Sequence, residues 1–253
     1  MTRRTALSSA LIGTGMFFLL WQMGAWLIHR PILPPPLEVL PIFAQLMTGP
    51  LGLHFAASAG RVLAAVALAV VTAVPAGLAL GQIPLLNRIF APLIAILYPI
   101  PKIVLLPVIY VLMGITDVSK IFLIALIIFF QIMVVVRDEA INLHPELILS
   151  VSSLGAGRRA LFRYVYFPAS LPAVLTALRI SIGTAIAVLF IAEQSLTNYG
   201  LGYYIVVETY QILLYPQMYA GILGMSLLGV LLYFGVYALE QRVNKHLHED
   251  GKH

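Results

Sequence analysis

Apolar and polar stretches alternate along this chain in a coarse rhythm, with long apolar runs divided by short polar breaks. A helix needs about 20 mostly apolar residues to cross a membrane, and six runs approach that length. The first is ALSSALIGTGMFFLLWQMGAWLI, preceded by Arg3 and Arg4. A basic start before an apolar run suits a secretory signal. This run exceeds the roughly 7–15 residues of a signal core and no small-x-small site follows it, so a retained first helix is expected. The prolines of HRPILPPPLEVLP predict an extended connection, because proline lacks an N–H and restricts the residue before it. IFAQLMTG predicts a short amphipathic piece at the interface. A second span is expected from about Ala56 to Leu80, rich in the Ala, Val and Gly that allow close helix packing in lipid. A third, about Ile89 to Met113, is interrupted by Pro92, Pro99, Pro101 and Pro107 and should be kinked or broken. Such breaks are tolerated where protein shields the backbone or where it lines a cavity. Further spans are expected at about Ser119–Val136, Pro168–Leu196 and Met218–Leu239, the last followed by the polar tail EQRVNKHLHEDGKH.

Composition supports an all-α integral membrane protein. Of the 253 residues, 61% are hydrophobic and 10% charged, whereas a soluble domain carries about 25% charged residues. There is no cysteine, which excludes disulfides, thiolate metal sites and cysteine nucleophiles. Three of the six histidines sit in the tail (His246, His248, His253) and the rest are scattered, so no metal site is expected. The net charge of +5 suits basic ends at a membrane. Aromatic and basic residues do not interleave on a hydrophilic face, as nucleic-acid binding would require. No repeat, low-complexity tract or long linker appears, and residues 1–253 read as a single integral membrane domain. Residues 1–53 form its N-terminal helix and connection, and 54–240 its core.

Six spans place both termini on one side. Arg3, Arg4, Arg88, Arg137, Arg158, Arg159, Arg163, Arg242, Lys245 and Lys252 fall on that side; the opposite loops carry little beyond Arg30, with Lys120 at a span edge. Lys and Arg accumulate in cytoplasmic loops, so the termini are expected in the cytoplasm.

One insert breaks the rhythm. SVSSLGAGRRALFRYV lies between two of the most apolar stretches and reads as a short helix, a glycine break and a second helix. Leu154, Leu161, Phe162 and Val165 offer it an apolar face. A topology-fixing basic loop would need the arginines but not this order.

The insert resembles the EAA loop of bacterial ABC importer permeases, whose pattern is Glu-Ala-Ala, three residues, Gly, nine residues, Ile-x-Leu-Pro. Here the Gly is Gly155, and Val165-Tyr166-Phe167-Pro168 follows nine residues later. SLGAGRRALFRYVYFPASLPAVLTALRI is similar to the loop of the nitrate/sulfonate/taurine branch. YPIPKIVLLPVIYVLMGITDVSKIFLIAL resembles that branch's third and fourth spans, and AEQ…YGLGYYI its region after the fifth. The resemblance runs from His54 to Leu239, with the loop at 149–168. Leu149, Ser150 and Val151 stand in place of Glu-Ala-Ala, and Phe167 replaces the Leu.

The resemblance implies a type I ABC importer permease fold in the bacterial inner membrane, with a coupling helix over about residues 150–160. Ser150, Val151, Ser153, Leu154, Gly155, Ala156, Arg158 and Arg159 would meet the ATPase. It further implies a second permease copy, two cytoplasmic ATPases, and a periplasmic or lipid-anchored binding protein. No G-x-x-x-x-G-K-[ST] occurs, so no cofactor is expected on this chain and ATP with Mg is expected on the partners. The implied cargo is a small anion such as a sulfonate, taurine or nitrate. Relatives that move pyrimidines or other aromatic compounds keep a non-anionic cargo open. A secondary carrier fits less well, since such carriers often show internal repeats. A zinc protease lacks its H-E-x-x-H.

Ionisable residues at membrane depth mark function by default, and Arg61, Lys102, Arg179 and Glu193 are the candidates for the pathway. Lys102 and Arg179 fall about 16 Å from the cytoplasmic starts of their spans, near the middle of a core about 30 Å thick. They read either as a positive site for an anion or as caps on carbonyls freed by the prolines. Arg61 and Glu193 fall in the opposite third and suit a structural ion pair. The tyrosines after the fifth span suit either a gate or an interfacial belt.

Overall fold

A computed structural model of the protein describes residues 3–194 and 197–249, with side chains except those of 3–11, 145, 158 and 244–249. The side chains of Arg3, Arg4, Arg158 and Lys245, the residue Lys252 and the expected span end at Leu196 therefore lie outside the described residues. The described chain is helical, without strands: α1 (Arg3–Ile28), α2 (Pro36–Met47), α3 (Pro50–Gln82), α4 (Pro84–Leu97), α5 (Leu106–Met113), α6 (Asp117–Ile141), α7 (Pro145–Ser153), α8 (Arg158–Leu161), α9 (Phe167–Glu193), α10 (Leu201–Tyr203) and α11 (Tyr215–Glu249). A 3₁₀ turn, Lys102–Leu105, precedes α5; a wide π-type segment, Phe162–Tyr166, joins α8 to α9; a second, Tyr204–Thr209, follows α10.

Four described helices are long and apolar enough to cross a membrane: Pro50–Gln82, Asp117–Ile141, Arg159–Glu193 and Tyr215–Val243. The pair Pro84–Leu97 and Lys102–Met113 qualifies jointly, bent by 82° at its break, as the prolines predict. Ile12–Ile28, within the expected first span, is a shorter apolar helix.

Three boundaries differ from expectation. PLEVLP is helical rather than extended, because Pro36 occupies the first turn of α2, where no N–H is needed. The fifth span begins before its prolines, so the second helix of the insert and the span form one continuous helix, Arg159–Glu193. The tail does not break off at Glu240, since α11 continues to Glu249; Gln, Arg, Lys and Glu are good helix formers and need no lipid.

The chain forms two compact units, each drawn from separate stretches. The first comprises Met1–Ser58 and Glu193–Leu227. Its α1 is pinned by Trp21, whose Nε1 donates to Pro34 O at 3.0 Å while the indole stacks on Tyr219. Val39, Leu51 and Leu201 are fully buried there.

The second unit comprises Ala59–Ala192 and Leu228–His253. Ala65, Ala69 and Ala73 on α3 and Ile124, Ile128, Ile132 and Val136 on α6 are buried. Their four-residue spacing puts each set on one helix face. Where α3 meets α6 there is no room for a side chain. A β-carbon on Gly77 would lie 2.7 Å from Met133 O and 2.8 Å from Val136 Cβ, and one on Gly81 would run into Ala140 and Arg137. This G-x-x-x-G spacing lets two backbones approach closely, which in lipid is a main source of helix affinity. Thr116 caps α6 reciprocally with Ser119, fixing its start.

Candidate functional site

The insert has the form its sequence predicts. α7 ends at Ser153, Gly155 takes φ +81°, and the chain restarts as α8 at Arg158. Glycine alone enters this backbone region at no steric cost. Ser150 Oγ donates to Glu146 O at 2.7 Å and Ser153 Oγ to Ser150 O at 2.9 Å, so these hydroxyls serve their own helix and project little polarity outward. Val151 and Ala156 are partly covered, Arg159 is exposed, and Leu154 at the break is 85% exposed. The four apolar residues do not share a face. Val165 is buried, while Leu161 and Phe162 line a cavity beside the end of α3. The departure arises because Phe162–Tyr166 is π-helical, which shifts the register of everything after it.

A second polar assembly surrounds the YGLGYY stretch, in the first unit. Three successive backbone N–H groups each meet a buried side chain. Gly200 N donates to His54 Nδ1 at 3.1 Å, Leu201 N to Ser58 Oγ at 2.8 Å and Gly202 N to Glu193 Oε2 at 3.0 Å. Ser58 Oγ in turn donates to the Glu193 carboxylate, 2.8 and 2.7 Å from its two oxygens. These amides would otherwise be orphans at the start of α10. Gly200, at φ +132°, bends the chain so that all three can be served. Nδ1 of His54 lies 3.1 Å from Gly200 O as well, and its Nε2 lies 3.4 Å from Glu208 Oε2, so the imidazole bridges the glycine peptide and a carboxylate. Tyr199 and Tyr203 stack on the imidazole and Tyr204 lies tilted against it. Burial first, and then the charge of Glu208, push the Tyr204 phenol up to about 12. Glu193, with no exposed surface, thus organises a loop.

The other three membrane charges lie in the second unit. Arg61 donates to Asp117 Oδ1 from Nε at 2.9 Å and pairs with it from Nη2 at 2.8 Å; Lys120 lies 3.7 Å from the same oxygen. Arg179 Nε is 3.1 Å from Glu240 Oε2, and its Nη1 donates to Tyr233 Oη at 3.3 Å. Thr176 Oγ1 donates to the other Glu240 oxygen at 2.8 Å. Lys102 Nζ donates to Leu97 O at 2.9 Å and to Tyr98 O and Ile100 O at 3.2 Å. In an unbroken helix Leu97 O would take its bond from residue 101, which is proline and has no N–H. The ammonium also sits 4.4 Å from the Phe130 ring centre, a favourable cation–π distance. This geometry matches the capping alternative for Lys102. Lys102→Gln, which keeps donors, is expected to preserve folded protein and transport within about threefold. Lys102→Met should lower the folded amount only modestly, because Leu97 O still accepts from Ile100 N at 3.3 Å and the bonds to Tyr98 O and Ile100 O are exposed. Uptake normalised to assembled protein separates the two; severe loss in the Gln variant with normal assembly would restore the anion-site reading.

Among the described residues no three metal-ligating side chains come together. The described residues offer a broken helix, a clamped loop and an exposed glycine turn.

Residues 65–245 match the family of binding-protein-dependent transport system inner membrane components. The chain belongs to this family. It is accordingly a multi-pass inner-membrane permease subunit of the ABC importer class. It is 33% identical over 233 residues to the taurine transport system permease protein TauC of Escherichia coli K12, covering 88% of this chain and 83% of TauC. It is 28% identical over 228 residues to the formylaminopyrimidine transport permease protein ThiX of Halalkalibacterium halodurans, covering 89% and 90%. A chain of the inward-facing MetNI methionine ABC transporter shares its fold, with a TM-score of 0.62 and 19% identity over 78% of this chain and 97% of that one. The permease residues that the sequence left unmarked are His54, Ser58, Asp117 and Glu240. Their partners are remote in sequence or are backbone amides, and neither produces a local motif.

Proposed function

We propose that this permease translocates a small organic anion of the sulfonate type in an ATP-driven importer. It would work with a second, identical permease copy, two cytoplasmic ATPases that hold ATP and Mg, and a periplasmic or lipid-anchored binding protein. Both termini and the insert would face the cytoplasm. The observation that carries the reading is the insert itself: a nine-residue helix, a glycine with φ +81° and a bare leucine beside it. An exposed leucine next to a hinge suits docking in a cleft of a soluble partner, whereas a loop that only fixed topology would need neither.

The sulfonate reading rests on similarity to TauC, reinforced by the branch-specific loop and YGLGYY segments. ThiX supports a second reading, a pyrimidine-type cargo. The membrane charges favour neither, since Arg179 and Lys102 have partners within the chain. We therefore place selection mainly on the binding protein.

The test is reconstitution of the permease with its ATPases and binding protein in liposomes. ATP-dependent uptake of taurine or an alkyl sulfonate is expected, and ATP hydrolysis should rise when the loaded binding protein is added. Uptake of a pyrimidine in preference would establish the second reading. Solute movement driven by an ion gradient without ATP would overturn both.

A further inference from the structure

The end of α3, the turn into α4 and residues 159–167 border a cavity of about 800 Å³, of whose lining the transport reading uses Arg159 alone. Ala79, Ile83, Leu161 and Phe167 form apolar walls, while Arg159 and Arg163 stand at its edge and no described lining residue is acidic. Gln82 lines it too, and its Nε2 is buried without an acceptor among the described residues. Phe162, Arg163 and Tyr166 of its lining belong to the π-type segment Phe162–Tyr166; such irregular turns are frequent at functional sites.

We propose that this cavity holds an anionic phospholipid, its phosphate on Arg159 and Arg163 and the upper part of an acyl chain against the apolar walls. Charge complementarity decides among occupants. A purely apolar occupant would leave two guanidiniums and an amide donor unanswered. A small soluble anion would leave most of the apolar wall wet. A zwitterionic lipid brings its own cation toward the two arginines. A guanidinium fork matches phosphate oxygens bidentately, and basic pockets between membrane helices at the cytoplasmic face are suited to acidic headgroups. Placement in the cytoplasmic leaflet rests on the orientation proposed above, but the binding itself does not depend on the cargo.

The test is lipid analysis by native mass spectrometry of the transporter purified from bilayers holding equal phosphatidylglycerol and phosphatidylethanolamine. Several-fold enrichment of phosphatidylglycerol is expected, and its loss to the bulk ratio in Arg159→Gln/Arg163→Gln. The charge-matched control Arg88→Gln/Arg242→Gln removes arginines that do not line the cavity and should keep the enrichment. If the double variant fails to assemble, Arg163→Gln alone is measured, with Arg163→Lys expected to retain part of the lipid. Excess inorganic phosphate and glycerol phosphate should leave the lipid bound; displacement by either would reassign the arginines to a free anion. Equal lipid ratios in wild type and variant would overturn the site. So would loss of the lipid when the ATPases dock on permease purified alone, which would give the cavity to that partner. Because the readout is bound lipid, its failure leaves the importer reading standing, and intact lipid with no uptake would do the reverse.

Discussion

Gly155→Val is expected to abolish coupled uptake while the protein still reaches the membrane in near-normal amount. A β-carbon at this position would meet nothing within 4 Å, so the substitution creates no clash with the rest of the molecule. The penalty is confined to the backbone, where φ +81° costs an L-residue about 1–2 kcal/mol and a β-branched one more. The chain can relieve that strain by abandoning the turn, which would swing α7 away from α8. Since each 1.4 kcal/mol is tenfold in an equilibrium, the docking-competent insert becomes a minority form. The series Asn, Ala, Val should show progressively less uptake and less transport-stimulated ATP hydrolysis, because asparagine tolerates a left-handed backbone best. Membrane abundance of all three should match the parent. Normal uptake by the Val variant would remove the insert from the coupling mechanism.

Arg179→Met is expected to be the most damaging change to the protein's stability, and Glu240→Met should rescue it. Arg179 is a quarter exposed, but removing it strands the nearly buried Glu240 carboxylate, at up to about 3 kcal/mol. Glu240 is 7% exposed and would keep Thr176 as its partner among the described residues. Replacing both with methionine removes the stranded charge and is often nearly neutral. The measurement is folded protein by detergent size exclusion, followed by uptake per assembled complex. Recovery of both in the double variant fixes Arg179 as structural. A double variant that folds but does not transport would return Arg179 to the pathway and revive the argument for an anionic cargo.

The rough positions of the second to sixth spans were legible because lipid demands long apolar runs, whereas the expected first span is the shorter apolar helix Ile12–Ile28. Ends were less legible. Lipid thickness limits a hydrophobic run but not a helix, so α6 runs past Arg137 to Ile141 and α11 past Glu240 to Glu249. The conformation of Gly155 was readable because one residue type nearly determines it. The role of Arg179 was not, because its carboxylate partner lies 61 positions away, at the head of what reads as a polar tail. Glu193 was legible as an anomaly but not as an anchor, since it serves backbone amides and these leave no imprint on the sequence.

The continuous helix Arg159–Glu193 has a mechanical corollary. Its 35 residues make a rod about 52 Å long at 1.5 Å per residue. A stiff rod converts angle into distance: a tilt of about 5° at the arginine end displaces the glutamate end by about 4.5 Å, nearly one helical turn. The π-type segment near the first end and Pro172 within α9 are the two irregular points along it, since each interrupts the i→i−4 ladder. A bend of a few degrees within Phe162–Tyr166 would therefore be read as a displacement of several ångströms at Glu193, the far end of the 27-residue α9.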